Sequence, residues 1–233
     1  MKQFLFLLFF LPEVVLSQTI FDDFDSFIKS HNVFGSVDYS LIEKYPSDVN
    51  DIVDKIARYD LTEASEQHKT AFYINAYNIL VIYQVTLHYP INSPLDVEGF
   101  FKSKRFEVAG ELLTLDQIEF QKLTDVTNDP RIHFCLACAA KGCPYLDESA
   151  YLPSNLENQL YRRTSLIIEQ PDYVFIDHNT EEVILCQIFN WYKDQFSANS
   201  GSAVEFINQF RRERIPTTYS VKYREYDWSL NDR

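Results

Sequence analysis

Apolar positions three and four apart dominate the first part of the chain. In "TIFDDFDSFIKSHN" (residues 19–32), Ile20, Phe24, Phe27 and Ile28 share one face, which predicts an amphipathic helix. "PSDVNDIVDKIARYD" (46–60) predicts a second, with Ser47 as its N-cap and Val49, Ile52, Val53 and Ile56 as its stripe. Residues 62–88 form the longest helical stretch, which Pro90 ends. Its middle, "AFYINAYNILVIY", is apolar nearly all round, as expected of a long central helix buried on every side.

The period then changes. "KRFEVAGELLTL" (104–115) alternates about a tight "AGE" turn and predicts a hairpin. "TLDQIEFQKL" opens with Thr114 and Gln117 in capping-box spacing and continues as a short helix. "IHFCLACA" (132–139) is a continuous apolar run of strand length and predicts a buried strand. Pro144 and Pro153 frame a loop, and "NLENQLYRRTSLIIEQ" is helical. "YVFIDHNTEEVIL" predicts a second hairpin turning at "HNTE", "CQIFNWYKDQF" and "SAVEFINQFRRE" predict two more helices, and the tail begins strand-like at "TYSVKY". The expected fold is α+β: one domain over residues 18–233, with helices packed around a small mixed or antiparallel sheet of about four to six strands.

Composition fits a globular chain: 46% of its 233 residues are hydrophobic and 24% charged. The net charge of −13 argues against nucleic acid and anionic membrane as main partners and leaves the true partner unknown. "MKQFLFLLFFLPEVVLSQ" has one Lys, a short apolar run, and Val15 and Ser17 at the −3 and −1 positions of a cut after Ser17. That pattern predicts a secretory signal peptide over residues 1–17, an uncleaved anchor being the alternative, and places the mature chain in a secreted, periplasmic or extracellular, oxidising setting. No later run is long enough to span a bilayer.

Chemistry concentrates in "IHFCLACAAKGCP" (132–144), which holds three of the four cysteines. On a regular strand His133 and Cys135 would share a face and Cys138 would take the other, with Cys143 beyond the exit loop. Four readings stay open: a structural disulfide involving Cys138 or Cys143, a reactive thiol with His133 as base or orienter, buried thiols acting as small hydrophobes, and a metal site. The metal reading lacks a second C-x2-C or H-x3-H partner, so no metal or other cofactor is expected. Lys141 would favour a nearby thiolate. Asn75 and Asn78, on one face of the apolar helix, either tie it to neighbouring backbone or orient a substrate or the histidine. Asp227 and Trp228 belong to a polar–aromatic tail that either lines a pocket or clasps the fold. The pair Arg162–Arg163 and the arginines at 211, 212 and 214 read as solvated faces. There is no G-x-S-x-G, H-E-x-x-H, P-loop or dinucleotide fingerprint.

Taken in order, "VDY" (37–39), "AFYINAYN", "LTLDQIEF", "DPRIHFCLACAAKGCP", "AYL" (150–152), "IFNWYKDQF", "GSAVEFI" and "YDWSLND" resemble the domain of unknown function 547 family over residues 34–232. The resemblance carries no assigned activity. In some multidomain proteins the domain sits beside a glutaredoxin-like domain, which leans towards thiol chemistry by association only. The family's typical "IHFALVCASKSCP" puts its histidine at His133 and its cysteines at Cys138 and Cys143, and its "NAYN" on Asn75 to Asn78. Cys135 stands where the family usually has Ala and Cys186 where it usually has Ser, which implies a private Cys135–Cys186 disulfide. The expectation is thus a secreted protein whose cleft holds His133, Cys138 and Cys143, with Asn75 and Asn78 nearby. It acts as a thiol-dependent enzyme, by acyl transfer, hydrolysis or disulfide exchange, or it is a non-catalytic binding module locked by disulfides.

Overall fold

The computed structural model describes residues 19–233, so the expected signal peptide lies outside the described residues. The first three helices are α1 (Ile20–His31), α2 (Tyr39–Lys44) and α3 (Ser47–Arg58), with the two-residue strands β1 (Asn32–Val33) and β2 (Ser36–Val37) pairing between α1 and α2. The amphipathic stripes are buried as read, except that Val53 is half-buried. Ser47 is not the cap of α3: Pro46 holds that position, Ser47 is the first helical residue, and no side chain caps the end.

Helix α4 (Glu66–His88) starts at Ser65, whose side chain accepts from the His68 amide. It packs against α2, α3 and the elements that follow, so its middle is covered on every side. The hairpin of β3 (Phe106–Val108) and β4 (Glu111–Leu113) turns at Ala109 and Gly110, both with φ near +49° and +79°. Its tip hydrogen bonds the last carbonyls of α3, from the Ala109 amide to Ile56 and from the Gly110 amide to Ala57, both at 2.9 Å. The expected capping box forms at Thr114 and Gln117 and starts α5 (Leu115–Gln117). The chain then widens into a π-helical stretch, Ile118–Thr124, before the single turn α6 (Asp125–Thr127).

Residues 132–139 do not form the predicted strand. Asp129 caps a 3₁₀ turn over Pro130–Phe134, with Pro130 supplying a preset φ and needing no amide partner. The following residues run irregularly. The continuous apolar pattern has another cause: the segment threads between two apolar clusters. Ile132, Cys135, Leu136 and Ala137 belong to the one around α4, and Phe134 to the one built on Phe189, Phe196 and Phe206. Asn78 takes the place of a strand neighbour, donating to the Cys135 carbonyl at 2.9 Å and accepting from the Ala137 amide at 2.8 Å.

Beyond the loop, α7 (Leu156–Ile168) carries Arg163, which is 1% exposed and not on a solvated face. Its guanidinium donates to the carbonyls of Phe134 and Tyr145 and stacks on the Tyr145 ring. The predicted hairpin is β5 (Val174–Asp177) and β6 (Glu182–Leu185); β7 (Ser220–Tyr223) joins β6 in parallel, making a three-stranded mixed sheet. Between them lie α8 (Ile188–Trp191), α9 (Lys193–Ser200) and α10 (Ala203–Ile207). The fold is α+β, with its short strands divided among three small sheets. No helix among the described residues is long and apolar enough to cross a membrane.

The tail after β7 returns across the front of the 138–143 loop. Backbone bonds link the Lys141 amide to Ser229, the Gly142 amide to Asp227 and the Asn231 amide to Ala139, at 2.9, 2.8 and 2.9 Å. A Cβ on Gly142 would lie 2.9 Å from the Asp227 nitrogen, so the two strands of chain meet closely there.

Candidate functional site

Where the 3₁₀ turn, the π-helical stretch, α8 and the tail converge, a cavity of about 280 Å³ opens. Its lining includes Tyr77, Leu136 and Ile188, the pair Cys138 and Cys143, and His133 with Glu119. Trp191, Tyr226 and Trp228 pack together at its mouth, with centroid separations of 4.7 to 6.0 Å. They are joined by Phe101, 6.4 Å from Trp228. Both tryptophans of the chain therefore border one cleft.

The cysteines at 138 and 143 are held as an unlike pair. The Cys138 amide points at the Cys143 sulfur, 2.8 Å away, and the Cys143 thiol reaches the Leu136 carbonyl at 3.3 Å. The Cys138 sulfur faces the Tyr226 hydroxyl at 3.1 Å. Burial works to raise the Cys138 thiol, but donors from Cys143, Tyr226 and the Ala140 backbone outweigh it, and the group ends below the usual thiol range. Cys143 goes the other way, pushed well up by burial and by its neighbour Cys138. Tyr226 is also raised, by burial and then by the two cysteines, so it keeps its proton and donates it to Cys138. One thiolate, with a thiol and a phenol as donors, is the state this arrangement favours.

The His133 ring lies on Tyr192 with centroids 3.5 Å apart and its side chain is 1% exposed. Its Nε2 is 2.6 Å from the Gln195 amide oxygen, which can only accept, so Nε2 is the donor of that bond. Nδ1 has no hydrogen-bond partner, and Glu119 Oε1 lies 3.7 Å from it, beyond hydrogen-bond range. Glu119 is oriented by the Tyr192 hydroxyl at 2.5 Å and the Tyr77 hydroxyl at 3.4 Å, both phenols raised by burial and by the carboxylate itself. Neither cysteine sulfur hydrogen bonds His133 among the described residues, so the ring does not form a direct thiol–imidazole dyad.

Of the predicted residues, His133, Cys138, Cys143 and Trp228 meet in the cleft. Asn75 and Asn78 do not line it. Asn78 holds the 135–137 backbone, and Asn75 holds Tyr151, donating to its carbonyl at 2.8 Å and accepting from its amide at 2.9 Å. Lys141 and Asp227 border a separate groove on the far side of Tyr226, and the Asp227 side chain caps its own turn on Ser229. The implied Cys135–Cys186 disulfide is not formed: all four cysteines are free, and the two belong to different apolar clusters. Burial pushes their thiols up to about 12 and about 11. Cys138 and Cys143 are likewise not bridged. Among the described residues no group of three or more His, Cys, Asp or Glu is placed to hold a metal ion.

Sequence reasoning missed Glu119, Tyr192, Gln195, Trp191 and Tyr226. A signal existed: they fall in "LTLDQIEF", "IFNWYKDQF" and "YDWSLND", stretches already noted for their order, and the fold brings all three to one cleft.

Residues 61–166 match the family described as "Protein of unknown function, DUF547". That span contains Tyr77, Glu119, His133, Cys138 and Cys143; the tyrosines and tryptophans contributed from 191 to 228 lie beyond it. Comparison with curated proteins and with solved structures found no match to the chain.

Proposed function

We propose that this DUF547-like chain is a secreted thiol-dependent enzyme in which Cys138 is the attacking group and Cys143 resolves the intermediate. The observation that carries the reading is the unlike pair: two free cysteines in a cleft, the Cys138 amide donating to the Cys143 sulfur, with one thiol lowered by its donors and the other raised. The chemistry that follows is disulfide exchange. The Cys138 thiolate attacks one sulfur of a substrate disulfide, forming a mixed disulfide, and the departing thiolate takes the Cys143 proton. The Cys143 thiolate then attacks the Cys138 sulfur and releases the second substrate thiol. The substrate gains two electrons and the pair ends as a disulfide, which an external thiol must reduce before the next turn. The secreted setting rests on the leader-like residues 1–17.

The test is alkylation with iodoacetamide, without reductant, followed by peptide mapping. Cys138 is expected to be modified first, and 2-hydroxyethyl disulfide is expected to convert the pair to an internal disulfide. In Cys143→Ser the reaction should stop at a mixed disulfide on Cys138. Equal, slow labelling of all four thiols would sink the proposal.

One observation favours a second reading, acyl transfer: His133, whose Nδ1 has no hydrogen-bond partner, lines the same cleft. The two separate cleanly, because hydrolysis of a thioester by Cys138 would survive Cys143→Ser and disulfide exchange would not turn over.

A further inference from the structure

We infer that the cleft recognises a substrate carrying a protonated amine next to an apolar body, with the ammonium seated between His133 Nδ1 and Glu119 Oε1. The inference builds on the thiol-exchange reading for the reaction but not for the binding.

The hydrogen-bonding inventory of the cleft is lopsided. His133 Nδ1 is buried and has no hydrogen-bond partner; in the neutral ring, with Nε2 donating to Gln195, it is an acceptor. Glu119 is a second acceptor 3.7 Å away, with lone pairs left beyond those taken by the Tyr192 and Tyr77 hydroxyls. Asp116 adds a second carboxylate to the lining. The phenols of Tyr192 and Tyr226 are spent on Glu119 and Cys138. A buried acceptor left without a donor costs ~1–3 kcal/mol, so the site favours a ligand that brings N–H groups. A primary ammonium brings three, with the charge that a carboxylate and a nearby thiolate attract. The walls agree with this choice: the faces of Trp191, Tyr226 and Trp228 stabilise both a cation and an apolar body. Lys102 is the basic residue at this mouth; it is exposed and offsets Asp116.

Calorimetry can test this on Cys138→Ser protein, where the thiol plays no part. The probes are 2-phenylethylamine and its neutral analogue 2-phenylethanol at pH 7. The amine is expected to bind about tenfold tighter or more, from a charge-assisted hydrogen bond and cation–π contact. Glu119→Gln should remove most of that preference while leaving the alcohol unchanged. If Glu119→Gln fails to fold, Asp116→Asn should reduce the preference in part. Equal binding of the two probes, no binding of either at millimolar concentration, or equal weakening of both in the variants would overturn the inference. Preferential Cys138 labelling in the native protein would still support the reaction, so the two readings fail separately.

Discussion

Cys135 and Cys138 are three residues apart among similar apolar neighbours, yet their thiols move in opposite directions. Cys135 is enclosed by hydrocarbon, with the Arg131 carbonyl 3.5 Å from its sulfur, so burial dominates and the thiol rises to about 12. Cys138 feels the same desolvation but sits among donors, and Tyr226 is the one that reaches it from outside its own loop. Removing that hydroxyl should let desolvation prevail. In Tyr226→Phe the pH midpoint for alkylation of Cys138 is expected to move up, because the thiolate has lost a donor while the thiol has lost nothing. Rates measured across pH check this; a midpoint unchanged or lowered would contradict it.

At the scale of elements, the site depends on α4, which gives the cleft Tyr77 and also holds the neighbouring loop from outside it. Asn78 stands on α4, 1% exposed, and its amide holds both the Cys135 carbonyl and the Ala137 amide. Asn78→Ala leaves those two buried groups unpaired and should cost ~2–6 kcal/mol in chemical denaturation, at ~1–3 kcal/mol for each. It should also slow Cys138 alkylation, since the loop loses its anchor one residue before the thiol. A loss below ~1 kcal/mol would mean the loop finds other partners. The π-helical stretch has a comparable role: it follows a capping box that was legible in Thr114 and Gln117, but nothing in "IEFQKLT" announces the extra width. Glu119 owes its place to that stretch: "LTLDQIEF" marks the segment as one to watch, but the side of the helix on which Glu119 emerges depends on the widened turn.

Across the whole molecule, what the sequence showed well was local. Helices α1, α3 and α4 and both hairpins follow from period and turn chemistry, because each buries one recognisable face or turns at a glycine or polar tip. The segment 132–139 was misread because a stretch buried between two clusters is apolar on all sides whether or not it is a strand, and its hydrogen bonds come from an asparagine more than fifty residues away. Arg163 was misread for the converse reason: its charge satisfies carbonyls that only the folded chain brings within reach. The cysteine pairing failed at the same scale, since an absence of Ala and Ser at two positions carries no distance. Non-reducing peptide maps of the native protein should find Cys135 and Cys186 both free, and the melting temperature should be the same with and without reductant if no other disulfide has formed. A Cys135–Cys186 peptide would contradict the structure.

The chain's two tryptophans, Trp191 and Trp228, stand at the mouth of one cleft with the Cys138–Cys143 pair behind them. The intrinsic emission of this protein therefore has a single address. Sulfur quenches excited indoles at short range, so a change in the state of the pair, or a ligand laid against the rings, should register as a change in brightness or colour with no label attached. An unmodified sample in a cuvette becomes an indicator of its own pocket, and any compound collection can be screened against it by light alone.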